Sequence, residues 1–448
     1  MRRGEPFDVV VAGGGVAGSA AAAALSQLGY QVAVVEPGMD GARRLAGELV
    51  HHTGAAALQE LGLLDAVCGD ERSEIAGFSV RFGGAPDSAV VHLPYSEDGA
   101  PACPAFAMEH DAIRQRMLKA VSLLPGVTVL DRARITAVDL SNGDYASVTI
   151  SSHSGETVVR PRLLVGADGT SSPVSRMVGI AQLRRQVSTL FGFLLHKCPL
   201  PDPGYGHVFL GASGPVLAYQ VSKDVARIMF DLPHSAAGRD KIESCRESLH
   251  ALPERLRGEV SKRLDEPGVV ASSSYTATVR EVARGRLALV GDAAGCCHPL
   301  TATGLTVCTR DALRLRDALR DTDGDIERAL PLYAHRRRSP QRTRMVLARG
   351  LYEVFCAQSP ESRLIRDGLL EYWNGSCSSR AKSMALLSTE EDRLRLMLME
   401  VAQVMLHGLG TRISEAWRQG GVFPRETRVL LGLSRLLLRH ASETLRTS

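Results

Sequence analysis

The sequence predicts an α/β fold: a Rossmann-like nucleotide-binding domain with an inserted, mostly antiparallel β-sheet domain and a helical C-terminal tail. Three observations predict it. A strand, a glycine turn, a helix and a second strand ending in an acid occupy residues 8–36. Two further apolar strands end in Asp-Gly and Gly-Asp at residues 168–169 and 291–292. Leucine- and methionine-rich segments of helical composition lie at residues 383–410 and 426–444.

The first unit begins with Val9–Ala12, a short β-branched run typical of a buried parallel strand. The glycine motif Gly13-x-Gly15-x-x-Gly18 follows directly. Its first glycine permits a tight turn, its second lets the backbone approach a pyrophosphate, and its third lets the helix pack closely on the strand. This order of elements therefore predicts a dinucleotide site.

The helix that starts with Val16 and Ala17 would direct free N–H groups and its positive dipole end at that pyrophosphate. Glu36 ends the second strand, at the distance where an acid binds a ribose 2′-hydroxyl and repels a 2′-phosphate. The unit is therefore expected to bind FAD or NAD rather than NADP.

Composition and charge exclude several classes of protein. The chain has 448 residues, enough for two domains or for one large core with an insertion and a tail. Its net charge of +4 comes without a concentrated Lys/Arg tract, so no nucleic-acid partner is expected. The nine cysteines show no C-x-x-C spacing, which favours free thiols in a reducing cytoplasm and no metal site.

No signal peptide is expected, because the first strand begins close to residue 7. The uncharged run at residues 9–35 is long enough to span a membrane, but its glycines and strand–helix–strand pattern assign it to the nucleotide-binding unit.

The remaining chain predicts an interrupted domain. Strand patterns lie at residues 78–82 and 89–93, and a helix is predicted at residues 108–123. Alternating apolar runs then predict the inserted sheet, followed by helices at roughly 239–250 and 253–264. The predicted limits are 1–182 and 281–345 for the FAD-binding domain, 183–280 for the substrate domain with strands from about 78–93, and 346–448 for the C-terminal helical region.

Two acids follow apolar strands at the sheet edge where ligands bind in open α/β folds. Asp168 is a candidate for that crevice, while a simple helix N-cap role stays open. Asp292 precedes a glycine-containing loop and can bind a ribityl hydroxyl. The helix N-terminus near Gly304 can stabilise negative charge on the N1–C2=O edge of a flavin.

These three motifs together resemble the signatures of group A FAD-dependent monooxygenases, which have the para-hydroxybenzoate hydroxylase fold. Within that group, RLAGEL at residues 44–49 is similar to squalene epoxidases, as are HPLT at 298–301 and GLT at 304–306. The resemblance covers roughly residues 7–345.

The resemblance implies that Glu36 and Arg44 bind the adenosine half of FAD. It also implies that Asp292 binds the ribityl–pyrophosphate part and that the Leu305 backbone touches the flavin ring. One departure concerns the helix near His110, where the family often has an FAD-binding arginine, so that contact is left unassigned.

The resemblance further implies the reaction. NADH or NADPH reduces FAD, O₂ adds to give a flavin C4a-hydroperoxide, and its distal oxygen passes to the substrate. The protein must orient the substrate and keep water out. His298 is a candidate catalytic residue that positions the substrate or protonates a product oxygen. A structural role, in which it fixes the loop before Pro299, is equally open.

The tail allows two interpretations. The leucine-rich run at residues 429–440, interrupted by Arg435 and Arg439, is typical of a helix that lies in a membrane interface. A helical cap packed on the catalytic domain would explain the composition equally well. A cytoplasmic protein is expected, with peripheral membrane contact as an open possibility.

The predicted function is that of an FAD-dependent monooxygenase that epoxidises or hydroxylates a small lipophilic substrate in secondary metabolism. Its expected substrate is an isoprenoid or a prenylated aromatic such as a prenylated quinolone or phenol. A flavin-dependent polyprenyl reductase, similar to geranylgeranyl reductases, is the alternative. The paired-tryptophan motif of flavin halogenases is missing, since the only tryptophans are Trp373 and Trp417. A non-catalytic FAD-binding protein would be expected to have decayed motifs, and all three are intact.

Overall fold

The computed structural model describes residues 7–38, 45–69, 72–85, 88–97, 99, 101–211, 213–234 and 241–418. The strands in this part of the chain are β1 Val9–Ala12, β2 Val32–Glu36, β3 Leu49–Val50, β4 Ser73–Ile75, β5 Gly77–Phe82, β6 Val90–Pro94, β7 Ala105–Ala107, β8 Val127–Asp131, β9 Arg134–Asp139, β10 Ser147–Ser152, β11 Gly155–Val159, β12 Leu163–Gly166, β13 Gln182–His196, β14 Tyr205–Leu210, β15 Val216–Ser222, β16 Val225–Pro233, β17 Val270–Val279, β18 Ala283–Arg284 and β19 Leu287–Leu289.

The α-helices are α1 Val16–Ser26, α2 His52–Glu60, α3 Leu64–Cys68, α4 His110–Ser122, α5 Pro173–Met177, α6 Lys241–Glu247, α7 Glu254–Leu264, α8 Gly304–Arg320, α9 Ile326–Cys356, α10 Pro360–Gly375, α11 Cys377–Leu387 and α12 Leu394–Arg418. Short 3₁₀ helices lie at Ser248–Ala251, Gly291–Ala294 and Pro299–Thr301.

The first sheet has the strand order β18-β19-β12-β1-β2-β8 and is parallel except for β18. Val9 and Val11 of β1 pack in one buried cluster with α1, α4 and α8. Val10 and Ala12 pack on the opposite side, together with side chains of the antiparallel sheet β11-β10-β9. Side chains of a strand alternate between faces, so an all-apolar strand is expected where both faces are covered.

The second sheet has the order β17-β13-β16-β15-β14-β5-β6 and is antiparallel except between β14 and β5. One face packs against α6 and α7, and the other packs against residues of α9 to α12. The presence of both sheets confirms the predicted fold class. The limits of the domains at residues 182, 280 and 345 remain a proposal.

The predicted continuous helix at residues 383–410 is wrong. The structure breaks it into α11 and α12, because residues 388–393 form a segment that docks on other helices. Thr389 has a φ of +62°, and Arg310 donates hydrogen bonds to its carbonyl and hydroxyl oxygens. Thr53 donates to the carbonyl of Ser388 at 2.5 Å. The second predicted tail helix, at residues 426–444, lies outside the described residues.

Helix α9 joins the two sheets. The Tyr333 hydroxyl donates to the Leu289 carbonyl of the first sheet at 2.6 Å. Near the other end of the helix, Val354 and Phe355 belong to the apolar cluster on the second sheet. No helix in the described part of the chain is long and apolar enough to cross a membrane.

Candidate active site

Two helix N-termini lie side by side at one edge of the parallel sheet. Helices α1 and α8 pack against each other, and neither N-terminus has a side-chain cap. A Cβ atom added to Gly15 or Gly304 would meet nothing within 4 Å. Among the described residues, both ends therefore direct uncapped first-turn N–H groups toward open space, which suits the pyrophosphate and the flavin of FAD.

The other motif glycines are required by close packing. Gly13 has a φ of +97°, and a Cβ there would lie 2.8 Å from the Ala167 carbonyl oxygen. A Cβ on Gly18 would lie 1.8 Å from the Gly13 carbonyl oxygen. These contacts explain why the turn between β1 and α1 needs glycine at both positions.

Glu36 accepts hydrogen bonds from the backbone of the glycine turn and of the loop after β2. One of its carboxylate oxygens accepts a hydrogen bond from the Gly14 N–H at 2.7 Å, and the other accepts from the Gly38 N–H at 3.1 Å. A carboxylate oxygen has two lone pairs, so each can still accept a hydrogen bond from a ribose hydroxyl. The geometry thus gives Glu36 a structural role, and its ribose contact stays a prediction.

Asp168 lies directly after β12 and serves helix α5. Its Oδ2 accepts a hydrogen bond from the Val174 N–H at 2.8 Å, while Ser172 caps the same helix through the Ser175 N–H. Among the described residues, the buried Oδ1 has no hydrogen-bond partner. Burial raises the pKa of this carboxyl, and the Ser172 hydroxyl lowers it. A buried polar atom usually has a partner, so the free oxygen fits a ligand contact.

Asp292 lies in the 3₁₀ turn after β19, the position predicted for the ribityl contact. Burial raises the pKa of Asp292, and three nearby basic side chains oppose that shift: Arg344, His110 and Arg337. The turn itself is held by Asp311, which accepts hydrogen bonds from the Gly291 N–H at 3.1 Å and from Arg337 Nε at 2.8 Å.

The sequence did not predict the basic side chains around Asp292. His110 occupies the position without an assigned contact, and its Nδ1 lies 2.7 Å from the Gly47 carbonyl oxygen. Arg337 and Arg344 belong to an arginine-rich stretch of α9, which did not reveal which guanidinium groups point inward. The signal that could have found them is their spacing of seven residues, which places both on one face of a helix.

The remaining predicted contacts lie close to these groups. Val16 and Ala17 are buried in the first turn of α1, and a Cβ on Gly291 would lie 2.7 Å from Ala17 Cβ. Leu305 is buried in the first turn of α8, beside Gly47. Arg44 lies outside the described residues. The assignment of each of these residues to FAD stays a prediction.

Both ring nitrogens of His298 are engaged within the protein. Nδ1 accepts a hydrogen bond from the Leu300 N–H at 3.2 Å, and Nε2 lies 2.9 Å from Ser188 Oγ and 3.3 Å from an Asp231 carboxylate oxygen. Burial lowers the pKa of His298 to about 3. This arrangement favours the loop-fixing role over direct contact with a substrate.

An apolar wall lies between the loop that precedes α8 and the C-terminal helices. It is one buried cluster that runs from Leu300 across the face of the second sheet that helices α9–α12 cover. Its sheet residues include Phe78, Val80, Leu93, Val208, Leu217 and Met229.

Polar groups at this wall are paired with one another. Arg227 donates to both carboxylate oxygens of Glu48, at 2.6 and 2.9 Å, and the Tyr219 hydroxyl donates to one of them at 3.1 Å. His51 Nε2 lies 2.9 Å from the Thr301 carbonyl oxygen, so it carries the proton, and Nδ1 accepts from the Tyr95 hydroxyl at 2.7 Å. Burial lowers the pKa of His51 to about 4.

Comparison with known proteins agrees with this geometry. The squalene epoxidase family model matches residues 160–419, and that of glucose inhibited division protein A matches residues 8–186. Squalene epoxidase 3 of Arabidopsis thaliana is 28% identical over 426 residues, covering 92% of this chain and 79% of that protein. Squalene epoxidase erg1 of Aspergillus fumigatus is 28% identical over 384 residues, covering 82% and 79%.

Solved structures show the same fold. PqsL of P. aeruginosa in complex with 2-aminobenzoylacetate has a TM-score of 0.65 at 22% identity, covering 86% of this chain and 100% of that one. The anhydrotetracycline hydroxylase OxyS of Streptomyces rimosus has a TM-score of 0.67 at 20% identity, covering 86% and 76%. The protein is an FAD-dependent monooxygenase that uses NADH or NADPH as co-substrate. Since one family model covers more than half of its residues, the chain belongs to the squalene epoxidase family.

Proposed function

We propose that this monooxygenase transfers one oxygen atom from O₂ to a double bond or ring of an isoprenoid or prenylated aromatic compound in secondary metabolism. The observation that carries the proposal is the apolar wall, which extends from Leu300 in the loop before α8 to Trp373 in α10. The cluster is buried between the second sheet and helices α9–α12. A prenyl chain inserted among its side chains would be stabilised by burial of its methylene and methyl groups. The relatives named for squalene support the same substrate class.

We propose that FAD is held by the residues that the sequence singled out. Gly15 and Gly304 leave open space at the two helix N-termini, and Asp168 has a buried carboxylate oxygen without a partner among the described residues. Glu36 and Asp292 would bind ribose and ribityl hydroxyls. When bound, FAD supplies the redox chemistry and the activation of O₂. The chain binds and orients it and excludes water.

The polar groups at the wall favour an alkene as the oxygen acceptor. Oxidation of a phenol benefits from a base that removes the hydroxyl proton, whereas an alkene requires none. Both nitrogens of His51 and of His298 are already engaged in the protein. Epoxidation is therefore the reaction that this site supports best.

The test is NAD(P)H oxidation by purified, FAD-loaded protein under air with squalene, prenylated phenols and prenylated quinolones. Oxidation should be stimulated by one of these classes, and its product should gain one oxygen by mass spectrometry. Products that gain two hydrogens without consumption of O₂ would replace the proposal with the polyprenyl reductase. Protein heated before the assay gives the background rate.

We also propose that this cytoplasmic enzyme contacts membranes peripherally through its C-terminal helices. Leu398, Met399 and Leu406 are exposed on α12, and the basic leucine-rich run lies farther along the chain. Replacing Arg435 and Arg439 together by glutamate should weaken flotation with anionic vesicles, because basic side chains near an anionic surface contribute about 1 kcal/mol each. Equal flotation of wild type and variant would contradict the proposal, and neutral vesicles are the control.

A further inference from the structure

A buried polar cluster connects the loop before α8 to the second sheet and to α9. It comprises His298, Ser188 of β13, Asp231 of β16 and Tyr352 of α9, and we call it the His298 cluster. The His298 and Tyr352 rings lie 4.1 Å apart between centroids. The side chains of His298 and Asp231 are almost completely buried. None of the four residues is among those assigned to FAD.

Strand pairing places Ser188 and Asp231 next to each other. Asp231 pairs directly with Leu190 of β13, and Ser188 precedes Leu190 by two residues. Side chains two residues apart share a face of a strand, so Ser188 and Asp231 are diagonal neighbours on the same face. The pairing of β13 with β17 shifts register between Gln186 and Ser188, the kind of irregularity that redirects a side chain near a functional site.

Hydrogen bonds fix the positions of the protons in this cluster. Since Leu300 donates its N–H to Nδ1 of His298, the neutral ring carries its proton on Nε2. That proton is donated to Ser188 Oγ at 2.9 Å. The Ser188 hydroxyl keeps one proton of its own to donate. Among the described residues, both Asp231 carboxylate oxygens and the Tyr352 hydroxyl are buried without a hydrogen-bond partner of good geometry.

The surroundings of Asp231 disfavour its charged form. Burial raises the pKa of Asp231 to about 7, and the Ser188 hydroxyl acts in the opposite direction. The titratable groups that face it are His298 from the loop and Tyr352 and Cys356 from α9, with Glu353 next to Cys356. Burial raises the pKa of Tyr352 and Cys356 and lowers that of His298. Between about pH 3 and pH 7 the four side chains of the cluster are therefore mostly uncharged.

We propose that Asp231 and Ser188 are positioning residues for FAD binding: they hold His298, and through it the loop at residues 298–303 that leads into the N-terminus of α8. In the described part of the chain, neither side chain has a hydrogen bond or ion pair to a proposed FAD contact, so we infer that both act through His298. The inference rests on the proposed placement of the flavin at the α8 N-terminus. It does not depend on which organic substrate the enzyme takes.

The test is FAD binding by apoprotein carrying Ser188→Ala or Asp231→Asn, followed by flavin fluorescence and by thermal unfolding. Ser188→Ala removes the hydroxyl oxygen that accepts from His298 Nε2, and Asp231→Asn places an amide where a carboxyl oxygen lies 3.3 Å from that nitrogen. Because each change loosens the hold on His298, each should raise the Kd for FAD about fivefold. Ser248→Ala is the matched control, because Ser248 is a buried serine that donates to the Ser244 carbonyl in the substrate domain. It should lower the melting temperature of the protein similarly and leave the Kd for FAD unchanged. Unchanged FAD binding in both test variants would overturn the proposal.

A second readout uses pH and needs no cofactor. A carboxyl whose pKa is about 7 when folded, against 3.8 for an unperturbed aspartate, stabilises the protein fully below pH 3.8 and loses that contribution as pH rises through 7. Between pH 5 and 8, the folding equilibrium constant of wild-type apoprotein should therefore fall by roughly tenfold or more relative to Asp231→Asn. Burial lowers the pKa of His298 in both proteins, so its contribution to the pH dependence of stability largely cancels in the comparison. Parallel stability profiles would show that Asp231 is not the neutral group of the cluster and would overturn the inference.

The substrate panel cannot mimic these outcomes, because neither readout uses an oxygen acceptor. If the panel shows no product while Ser188→Ala still weakens FAD binding, the substrate proposal fails and the positioning role stands. If the panel identifies a substrate while both variants bind FAD like the wild type, the positioning role fails alone.

Discussion

Single glycines decide whether the cofactor site can form. Gly18 cannot carry a side chain, because a Cβ there would collide with the Gly13 carbonyl oxygen. Gly15 differs, since its φ of −67° is open to any residue and an added Cβ would meet no protein atom within 4 Å. The sequence motif treats the two positions alike, whereas the structure shows close packing at Gly18 and open space at Gly15.

That difference predicts the behaviour of Gly15→Ala. The variant should fold with the stability of the wild-type apoprotein, yet bind FAD roughly tenfold more weakly or worse, because the methyl group occupies the space through which a pyrophosphate approaches the backbone. Gly258→Ala, at an exposed and equally open position within α7, should leave FAD binding unchanged and add about 0.5–1 kcal/mol of stability. Fluorescence titration and denaturant unfolding measure the two quantities. Normal FAD affinity in Gly15→Ala would refute the proposal that a pyrophosphate approaches the backbone at this position.

At the scale of elements, local pattern predicted the strands better than the C-terminal helices. The apolar runs of β1, β12 and β16 show their burial directly in the sequence. Strand β17 was not predicted, because its residues Ala271-Ser-Ser-Ser274 lack an apolar alternation. Helix α9 was not predicted, because Pro331, Pro340 and its arginines interrupt the apolar pattern of a helix. The break between α11 and α12 depends on docking to residues more than 70 positions away, which no local pattern contains.

Helix α9 begins at a side-chain cap that can be tested alone. Asp325 accepts hydrogen bonds from the Glu327 and Arg328 N–H groups at 3.0 and 3.3 Å. Asp325→Ala should cost about 1 kcal/mol in the free energy of unfolding, since both donors lose their acceptor. Asp325→Asn keeps an acceptor and should retain most of that stability. Urea unfolding distinguishes the two, and equal losses would show that the cap charge, rather than the hydrogen bonds, matters.

At the scale of the whole molecule, the proposed substrate site is the apolar wall, which runs from the loop before α8 to helices α9–α12. The sequence motifs predicted the cofactor half of the site, because each lies within one short stretch of chain. They did not predict the wall, because it is assembled from the second sheet, the small sheet β3-β7-β4 and four helices that are distant in sequence. Its polar pairs, such as Glu48 with Arg227, could not be predicted from the sequence for the same reason.

The wall predicts a dependence on substrate length. Leu217→Trp places a larger ring inside the apolar wall beside β15. The turnover of a long isoprenoid should therefore fall more than that of a phenol with one prenyl unit. The ratio of kcat/KM for long over short substrate should fall roughly tenfold. Leu232→Trp, at a similarly buried leucine in the cluster on the opposite face of the second sheet, is the matched control and should leave the ratio unchanged. A ratio that stays constant in Leu217→Trp would place the substrate elsewhere.

The reach of α9 has a consequence for how such enzymes can be recombined. One end of this helix is tied to β19 through Tyr333, and its other end lies against His298 and the apolar wall through Tyr352 and Val354. The helix therefore contacts both the cofactor half and the substrate half of the molecule. A chimera that takes the second sheet from a relative therefore has to take this helix from the same parent, or the two halves will meet at the wrong separation.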